Sequence, residues 1–318
     1  MKHITKFRYL NSKRLVYLYQ VISLGSIRSA ADKLNISPSS ISRQISLLEQ
    51  ELSCTLIQRH NKGVVLTEAG KTVLDFYHKQ QLDKEICISK LQALQGLQSG
   101  HIKLSIGEGF ITDLMMNFIP DFNRKYPGIT ISISVDSTND MLRKIETGES
   151  HIALAFNPSE NQNINSVIIA DQPVYAIASP DHELATSQKN ITLKQLGEYP
   201  IALQENNFGI RSLLAKTEIE KNVYLKPVLT TNSISTLKYF ALSGIGITFL
   251  PKFVVSEELN NNKLIALKTT TEGSIMGQSH LLVHAKRELP ECSHKFLQLI
   301  NSWMKKIKDN KSHEQLLQ

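Results

Sequence analysis

Residues Gly25–Gly70 read GSIRSAADKLNISPSSISRQISLLEQELSCTLIQRHNKGVVLTEAG, and they decide the N-terminal fold. Ile41, Ile45, Leu48 and Leu52 fall at i, i+4, i+7 and i+11, which is one face of a helix. The opposite face carries Ser39, Arg43, Ser46 and Gln50: hydroxyls, a fork-shaped cation and an amide, with no acid. A helix that is apolar on one side and phosphate-friendly on the other suits a DNA major groove. Upstream, Ser26 is placed to cap a short helix over Ile27–Leu34, whose small residues Ala30 and Ala31 allow a second helix to approach closely. After a break at Asn35-Ile36, Ser37 caps the next helix and Pro38 takes its first turn, where a missing N–H costs nothing. Helix, tight turn, helix is the helix-turn-helix arrangement. Thr55–Leu66 then alternates and turns at Asn61-Lys62-Gly63, the pattern of a two-stranded wing that carries Arg59, His60 and Lys62.

The charge distribution supports a polyanion partner. Residues 1–66 hold ten Lys/Arg against three acids, an excess that equals the formal net charge of the whole 318-residue chain, +7. The other residues hold 26 of each sign, so the entire excess lies in the first fifth of the sequence. A 41% hydrophobic content supports folded cores and excludes a disordered chain. Three widely spaced cysteines, Cys54, Cys87 and Cys292, make neither a disulfide framework nor a metal cluster, so no metal and no cofactor is expected. The N-terminus, MKHITKFRYLNSKR, has no apolar core of a signal peptide, and no stretch approaches a membrane span. A reducing, cytoplasmic setting follows, with no membrane partner.

Thr67 is placed to cap a long helix reaching about Leu97. Val73, Phe76, Tyr77, Leu82, Ile86, Leu91 and Leu94 recur along it at spacings near three to five. A rod of about thirty residues, roughly 45 Å long, is too long to bury its stripe against one small winged domain. A helix–helix contact with a second chain through Leu82, Ile86 and Leu94 is expected, giving a homodimer or homotetramer. Gly96 and Ser99-Gly100 are expected to end the rod in a hinge.

From His101 the texture changes to strands alternating with helices, the mark of a parallel sheet covered by helices. Strands are expected at 102–106, 129–135, 151–156, 174–179, 201–203, 228–229, 246–250 and 280–284. Helices are expected at 114–126, 139–147, 209–216, 233–243 and 292–308. In open α/β sheets ligands lie beyond the carboxyl ends of strands, near helix N-termini. Those ends are Gly107-Glu108-Gly109-Phe110, Ser137-Thr138-Asn139, Gln204 to Gly209, and Thr231-Asn232-Ser233. Candidate ligand residues are therefore Gly107, Glu108, Gly109, Phe110, Thr138, Gln204, Asn232 and Ser233. Glu108 is expected to favour a ligand bearing an amine. Arg211 either steers an anion or satisfies a surface carboxylate.

The sequence resembles the LysR-type transcriptional regulators. The resemblance rests on Gly25-Ser26, Ala30-Ala31, Leu34, Ser37, Ser42-Arg43-Gln44-Ile45, Leu48-Glu49, Glu51-Leu52, Arg59 and Leu66-Thr67-Glu68-Ala69-Gly70, matched without a gap. It continues at lower density over nearly the whole chain. Pro38 stands where the family often has Gln, Ser53 where it has Gly, Ile57-Gln58 where it has Phe-Glu, and Gly109 where it often has Ser or Thr. The resemblance implies an α/β chain in three parts: a winged helix-turn-helix (1–66), a linker and dimerisation helix (67–98), and a periplasmic-binding-protein-like effector domain (99–318). Its first lobe would span about 101–170 and 272–318, and its second about 171–271.

The function implied is sequence-specific DNA binding modulated by a small-molecule effector between the two lobes. Ser26, Ser37, Ser39, Ser40, Ser42, Arg43, Arg59 and Lys62 are the expected contacts to double-stranded promoter DNA, and RNA polymerase is a further expected partner. Two other classes fit less well. An enzyme would need a catalytic motif, but no GxSxG, GxGxxG, P-loop or HExxH is present, and Gly244-Ile245-Gly246 lacks the third glycine. The ten histidines show no ligand spacing, so no catalytic residues are expected. An exported solute-binding protein would suit the two lobes but not the basic N-terminal segment.

Overall fold

The protein is described by a computed structural model, which covers residues 10–60, 63–94, 99–186, 190–270 and 275–315. The chain forms two compact units that divide between Glu85 and Ile86.

In the first unit, α1 (Ser12–Ser23), α2 (Ile27–Leu34) and α3 (Pro38–Leu52) pack around Leu15, Leu18, Val21, Ala30, Ala31, Ile41, Ile45 and Leu48, all fully buried. The predicted apolar face of α3 is thus the core face; Leu52, at its end, is only partly buried. The hydroxyl of Ser26 accepts the Ser29 N–H at 3.0 Å, and that of Ser37 accepts the Ser40 N–H at 3.2 Å. Ser53 ends α3 at φ +52°, the left-handed region where glycine is the easy residue. The wing strands β1 (Ile57–His60) and β2 (Gly63–Leu66) pair antiparallel, Ile57 opposite Leu66. Asn61 and Lys62 lie outside the described residues. The hydroxyl of Thr67 accepts the Gly70 N–H at 3.0 Å and opens α4 (Glu68–Leu94).

The exposed stripe of α4 differs from the one expected. Leu82 is 2% exposed and Ile86 is buried within the chain itself. The apolar side chains left outside are Phe76, Ile88, Leu91 and Leu94, the last two 57% and 85% exposed. At 100° per residue these four fall within about 120° of one another on the helix. Gly96 and Leu97 lie outside the described residues, and Gly100 already belongs to a strand.

The second unit carries β3 (Gly100–Ile106), α5 (Ile111–Asn117), α6 (Ile119–Lys125), β4 (Ile129–Val135), α7 (Thr138–Thr147), β5 (Ile152–Phe156) and β6 (Ile164–Ala178). These are followed by α8 (Leu193–Leu196), β7 (Ile201–Gln204), α9 (Gly209–Lys221), β8 (Leu229–Thr231), α10 (Ile234–Leu242) and β9 (Ile247–Pro251). The chain closes with α11 (Ser256–Asn260), β10 (Ile265–Ala266), β11 (Met276–His284) and α12 (Glu291–Gln315). The strands run in the order β4-β3-β5-β11-β6-β9-β7-β8, with β10 also on β6. Parallel pairs β4-β3-β5 and β9-β7-β8 form the two wings of this sheet, and the antiparallel strands β11 and β6 join them.

Each wing has its own core. Ile102, Leu104, Ile106, Phe122, Leu281 and Phe296 fill the first lobe; Ile177, Leu203, Leu214, Leu237 and Phe249 fill the second. The long strand β6 serves both, pairing with β11 along Ile164–Pro173 and with β9 along Val174–Ile177. The sequence predicts only its second half, because Asp171-Gln172-Pro173 interrupts the apolar run. The single helix expected over 114–126 is two, broken at Phe118 ahead of Pro120. The short α8 is absent from the sequence expectation, although Thr192 and Gln195 form a complete capping box.

Just past β4, the half-buried Asp136 accepts Ser105 Oγ at 2.6 Å, Ser134 Oγ at 2.5 Å and Lys144 Nζ at 2.7 Å. Burial alone would raise the Asp136 pKa. The hydrogen bonds from Lys144, Ser105 and Ser134, with the charge of Lys144, outweigh it and hold the carboxyl below its ordinary value. A lowered folded pKa adds stability that is present above the unfolded value of about 3.9 and lost as pH falls through the folded one. Acid melting of the second unit should therefore steepen below about pH 4. Asp136→Asn should be less stable at neutral pH and flatter across that acid range, as read by circular dichroism.

Candidate nucleic-acid interface and effector cleft

In the first unit, burial of the Ile41–Ile45–Leu48 face turns the polar face of α3 outward. Ser39, Ser40 and Arg43 are exposed, as is the capping Ser37. Ser37 Oγ lies 3.0 Å from Ser39 Oγ and 2.7 Å from Ser40 Oγ, a hydroxyl cluster at a helix N-terminus where anions are favoured. Arg59 of the wing donates from Nη2 to Ser42 Oγ at 2.9 Å, joining β1 to α3. Ser26 begins α2, half-buried.

Two of the three acids of this segment are engaged inside the unit. Glu49 accepts the backbone N–H groups of Leu56 and Ile57 at 2.8 and 3.3 Å, pinning the start of the wing. Glu51 is ion-paired with Arg14, which also donates to Gln44 Oε1 at 3.0 Å. The surface offered by α3 therefore keeps hydroxyls and a guanidinium and lacks a competing carboxylate. Lys62 lies outside the described residues.

In the second unit the carboxyl ends of strands from both lobes meet in one cleft. Gly107, Glu108, Gly109, Phe110, Thr138 and Gln204 all line it. Ser233 joins through Glu108, whereas Asn232 is exposed and does not line the cleft. Phe208 and Gly209 line it from the Gln204–Gly209 loop named in the sequence, but sequence reasoning misses most of the other apolar lining, including Met141, Phe156, Ile234, Phe253 and Val254. These residues carry no signal in the sequence beyond hydrophobicity.

The two lobes clasp each other through helix N-termini. α9 has no cap of its own, since Phe208 precedes it, and its first N–H, Gly209, donates to Thr138 Oγ1 of the first lobe at 3.0 Å. Thr138 in turn donates to the Phe156 carbonyl at 3.4 Å. At α10, Ser233 caps the Thr236 N–H, and Glu108 of the first lobe takes the rest. Glu108 Oε2 accepts the Ile234 N–H at 2.5 Å; Oε1 accepts the Ser235 N–H at 3.0 Å, Ser235 Oγ at 2.7 Å and Ser233 Oγ at 3.3 Å. The carboxylate expected to greet an amine on a ligand is instead saturated by four donors of the chain itself.

Close packing completes the closure. Phe110 stacks on Phe253 at 5.3 Å between ring centres. A Cβ at Gly109 would lie 2.9 Å from Val254 Cγ2 and 3.3 Å from Ile234 Cδ1, so glycine is what lets the second lobe seat here. The space left is about 30 Å³, enough for water and too small for a metabolite. Arg211 settles as a structural residue: its Nη1 pairs with the buried Glu218 at 2.7 Å, and Glu218 also accepts the Leu225 N–H.

Comparison with known proteins agrees with both units. Residues 12–71 match the family described as "Bacterial regulatory helix-turn-helix protein, lysR family", and residues 95–305 match "LysR substrate binding domain". The chain is 27% identical to the HTH-type transcriptional activator CmpR of Synechocystis sp. over 252 residues, covering 76% of this chain and 79% of CmpR. It is 24% identical to the RuBisCO operon transcriptional regulator of Allochromatium vinosum over 244 residues, 76% of this chain and 80% of that one.

Among solved structures, a full-length OxyR variant from Pseudomonas aeruginosa matches with a TM-score of 0.63 at 17% identity, covering 93% of this chain and 94% of that one. Full-length CbnR complexed with its target DNA matches at 0.62 and 15% identity, covering 92% and 99%. The CcmR regulatory domain from Synechocystis, in complex with 2-PG, matches at 0.58 and 22% identity, covering 64% and 97%. The two family matches, in this order and over nearly the full length of the chain, agree with a helix-turn-helix unit followed by a two-lobed effector-binding unit: the chain belongs to the LysR family of DNA-binding transcriptional regulators.

Proposed function

We propose that this chain is a cytoplasmic, homo-oligomeric transcription factor that seats α3 in a major groove and alters its hold on promoter DNA when a small molecule parts its effector lobes. The observation that carries the reading is the exposed, acid-free face of α3 within a segment that holds the whole positive excess of the chain. Residues 1–66 bind DNA, 67–98 link and dimerise, and 99–318 sense the effector. Ser37, Ser39, Ser40, Ser42 and Arg43 contact bases and phosphates. Ser26, Arg59 and Lys62 hold the flanking backbone. RNA polymerase meets the bound regulator at the promoter, and the chain performs no catalysis. Among the described residues no helix is long and apolar enough to cross a membrane, and no group of His, Cys, Asp and Glu is placed to hold a metal.

Arg43→Ala should weaken specific DNA binding by about 1–3 kcal/mol, and Lys62→Ala should weaken all DNA nearly uniformly and lower the salt slope by about one. Fluorescence anisotropy over a salt series reads both. Wild-type affinity in both variants removes the groove assignment.

Oligomerisation through α4 is carried by the exposed Phe76, Ile88, Leu91 and Leu94 rather than by Leu82 and Ile86. Leu91→Asp with Leu94→Asp should dissociate the oligomer without unfolding either unit, because both side chains are already in solvent in the single chain. Light scattering paired with circular dichroism separates dissociation from unfolding, and an intact oligomer would exclude this face.

Thr138→Val removes the acceptor of the buried Gly209 N–H, a loss of about 1–3 kcal/mol of closing free energy. Amide exchange at Gly209 should quicken and the second unit should melt earlier. DNA affinity without effector should stay near wild type, and the response to any effector found by thermal shift of the full chain against a metabolite panel should be blunted. A Thr138→Val protein with wild-type effector sensitivity would put the pocket elsewhere.

A further inference from the structure

Arg14 of α1 lies against α3 and holds two of its side chains. Its Nη1 pairs with Glu51, and its Nε donates to Gln44 Oε1 at 3.0 Å. A guanidinium has donors and no acceptor, so only the oxygen of an amide can face it. That fixes which way the Gln44 amide points: its acceptor is consumed inside the unit, and its NH2 is the half left on offer. Among the described residues nothing takes the two hydrogens of Nε2. Gln44 is half-buried, and it is absent from the residues that the sequence marks as DNA contacts.

A glutamine free to present both halves of its amide reads adenine, donating one hydrogen bond and accepting another. Gln44 cannot, because one half is spent on Arg14. What remains suits a partner with acceptors only, and a phosphate is such a partner. Its place on the helix agrees. At about 100° per residue, Gln44 lies about 40° round α3 from Ser40 and about 100° from Arg43. That is the flank beside α1, away from the centre of the outward face. A helix about 10–12 Å across nearly fills a major groove about 12 Å wide, so its flanks meet the phosphate walls. Glu51, on the same flank about two turns further on, is neutralised by Arg14. We propose that Gln44 clamps a backbone phosphate through Nε2, and that Arg14 is the positioning residue that holds the amide with its donors outward. This deepens, and rests on, the reading that α3 enters the major groove.

The test uses the full-length protein and, as probe, a duplex that wild type recovers from a random-sequence library. Gln44→Met should lose about tenfold in affinity and keep the wild-type ranking of single-base variants of this duplex. Gln44→Glu is the sharper variant. Its carboxylate still accepts from Arg14, so the protein should melt no lower than wild type, yet it turns an oxygen and a negative charge toward the phosphate in place of a donor. A scan of uncharged methylphosphonates along the backbone then reads the contact itself. At one backbone position per bound α3, the replacement should weaken wild type severalfold and strengthen Gln44→Glu. Arg14→Met, which frees the amide to turn, should lose sensitivity at that same position, and retained sensitivity overturns the role of Arg14. A Gln44 that only braces α1 against α3 would give Gln44→Glu wild-type affinity and no position of reversed sign; either result overturns the clamp. So does an altered base ranking in Gln44→Met, which would make Gln44 a reader of bases. Arg43→Ala is the control. If it and the Gln44 variants all bind as wild type does, the groove reading itself fails; if it weakens binding and Gln44→Met does not, only the clamp fails.

Discussion

A helix begins with N–H groups that have no partner inside it, and the ways this chain satisfies them organise most of its structure. Where a helix stands alone in function, its own preceding hydroxyl supplies the acceptor: Ser26 for α2, Ser37 for α3, Thr67 for α4 and Ser137 for α7. Where two lobes must recognise each other, the acceptor comes from across the cleft. Thr138 takes the first N–H of α9, and Glu108 takes the first two of α10. Opening the cleft therefore exposes two helix starts that must find new acceptors, water or a ligand. That makes closure a matter of polar satisfaction as much as of apolar contact, and it is why residues at strand ends have such leverage over the arrangement.

The sheet provides the frame in which such a clasp works. The parallel strands on each side end at the cleft, so their following loops face one another. β6 belongs to both sides, pairing antiparallel with β11 along one half and with β9 along the other. Filling between the lobes is then set by side-chain size at a few positions. The stacked pair Phe110 and Phe253 and the absent Cβ of Gly109 leave room for little more than water.

Charge follows a similar division of labour. The positive excess is confined to the first 66 residues, and there the fold spends Glu49 and Glu51 on internal contacts. A polyanion approaching α3 meets the cations and hydroxyls without those carboxylates in competition. The second unit carries ion pairs in partly buried positions, Lys144 with Asp136 and Arg211 with Glu218, where they hold local structure together and neutralise the charges they bury.

Much of this is legible in the sequence, because it rests on local rules. The period of Ile41, Ile45 and Leu48, the caps Ser26, Ser37 and Thr67, Pro38 at a helix start and the basic excess each depend on residues close together in the chain. The alternation of strands and helices after His101 likewise marks a helix-covered parallel sheet and the loops at its strand ends, while its division into two lobes came from the family resemblance. What the tertiary structure alone decided depends on distant partners. Which side of α4 stays exposed follows from what buries Leu82 and Ile86, and no heptad count contains that. The length of β6 follows from pairing with both β11 and β9, which overrides the interruption at Asp171-Gln172-Pro173. Arg211 reads equally as an anion-steering group or as the partner of a carboxylate, and only the placement of Glu218 beside it decides for the second. Glu108 is the clearest case: a lone acid in a glycine-rich loop reads as a greeting for a cation, and only the fold brings the start of α10, more than a hundred residues away, to its carboxylate.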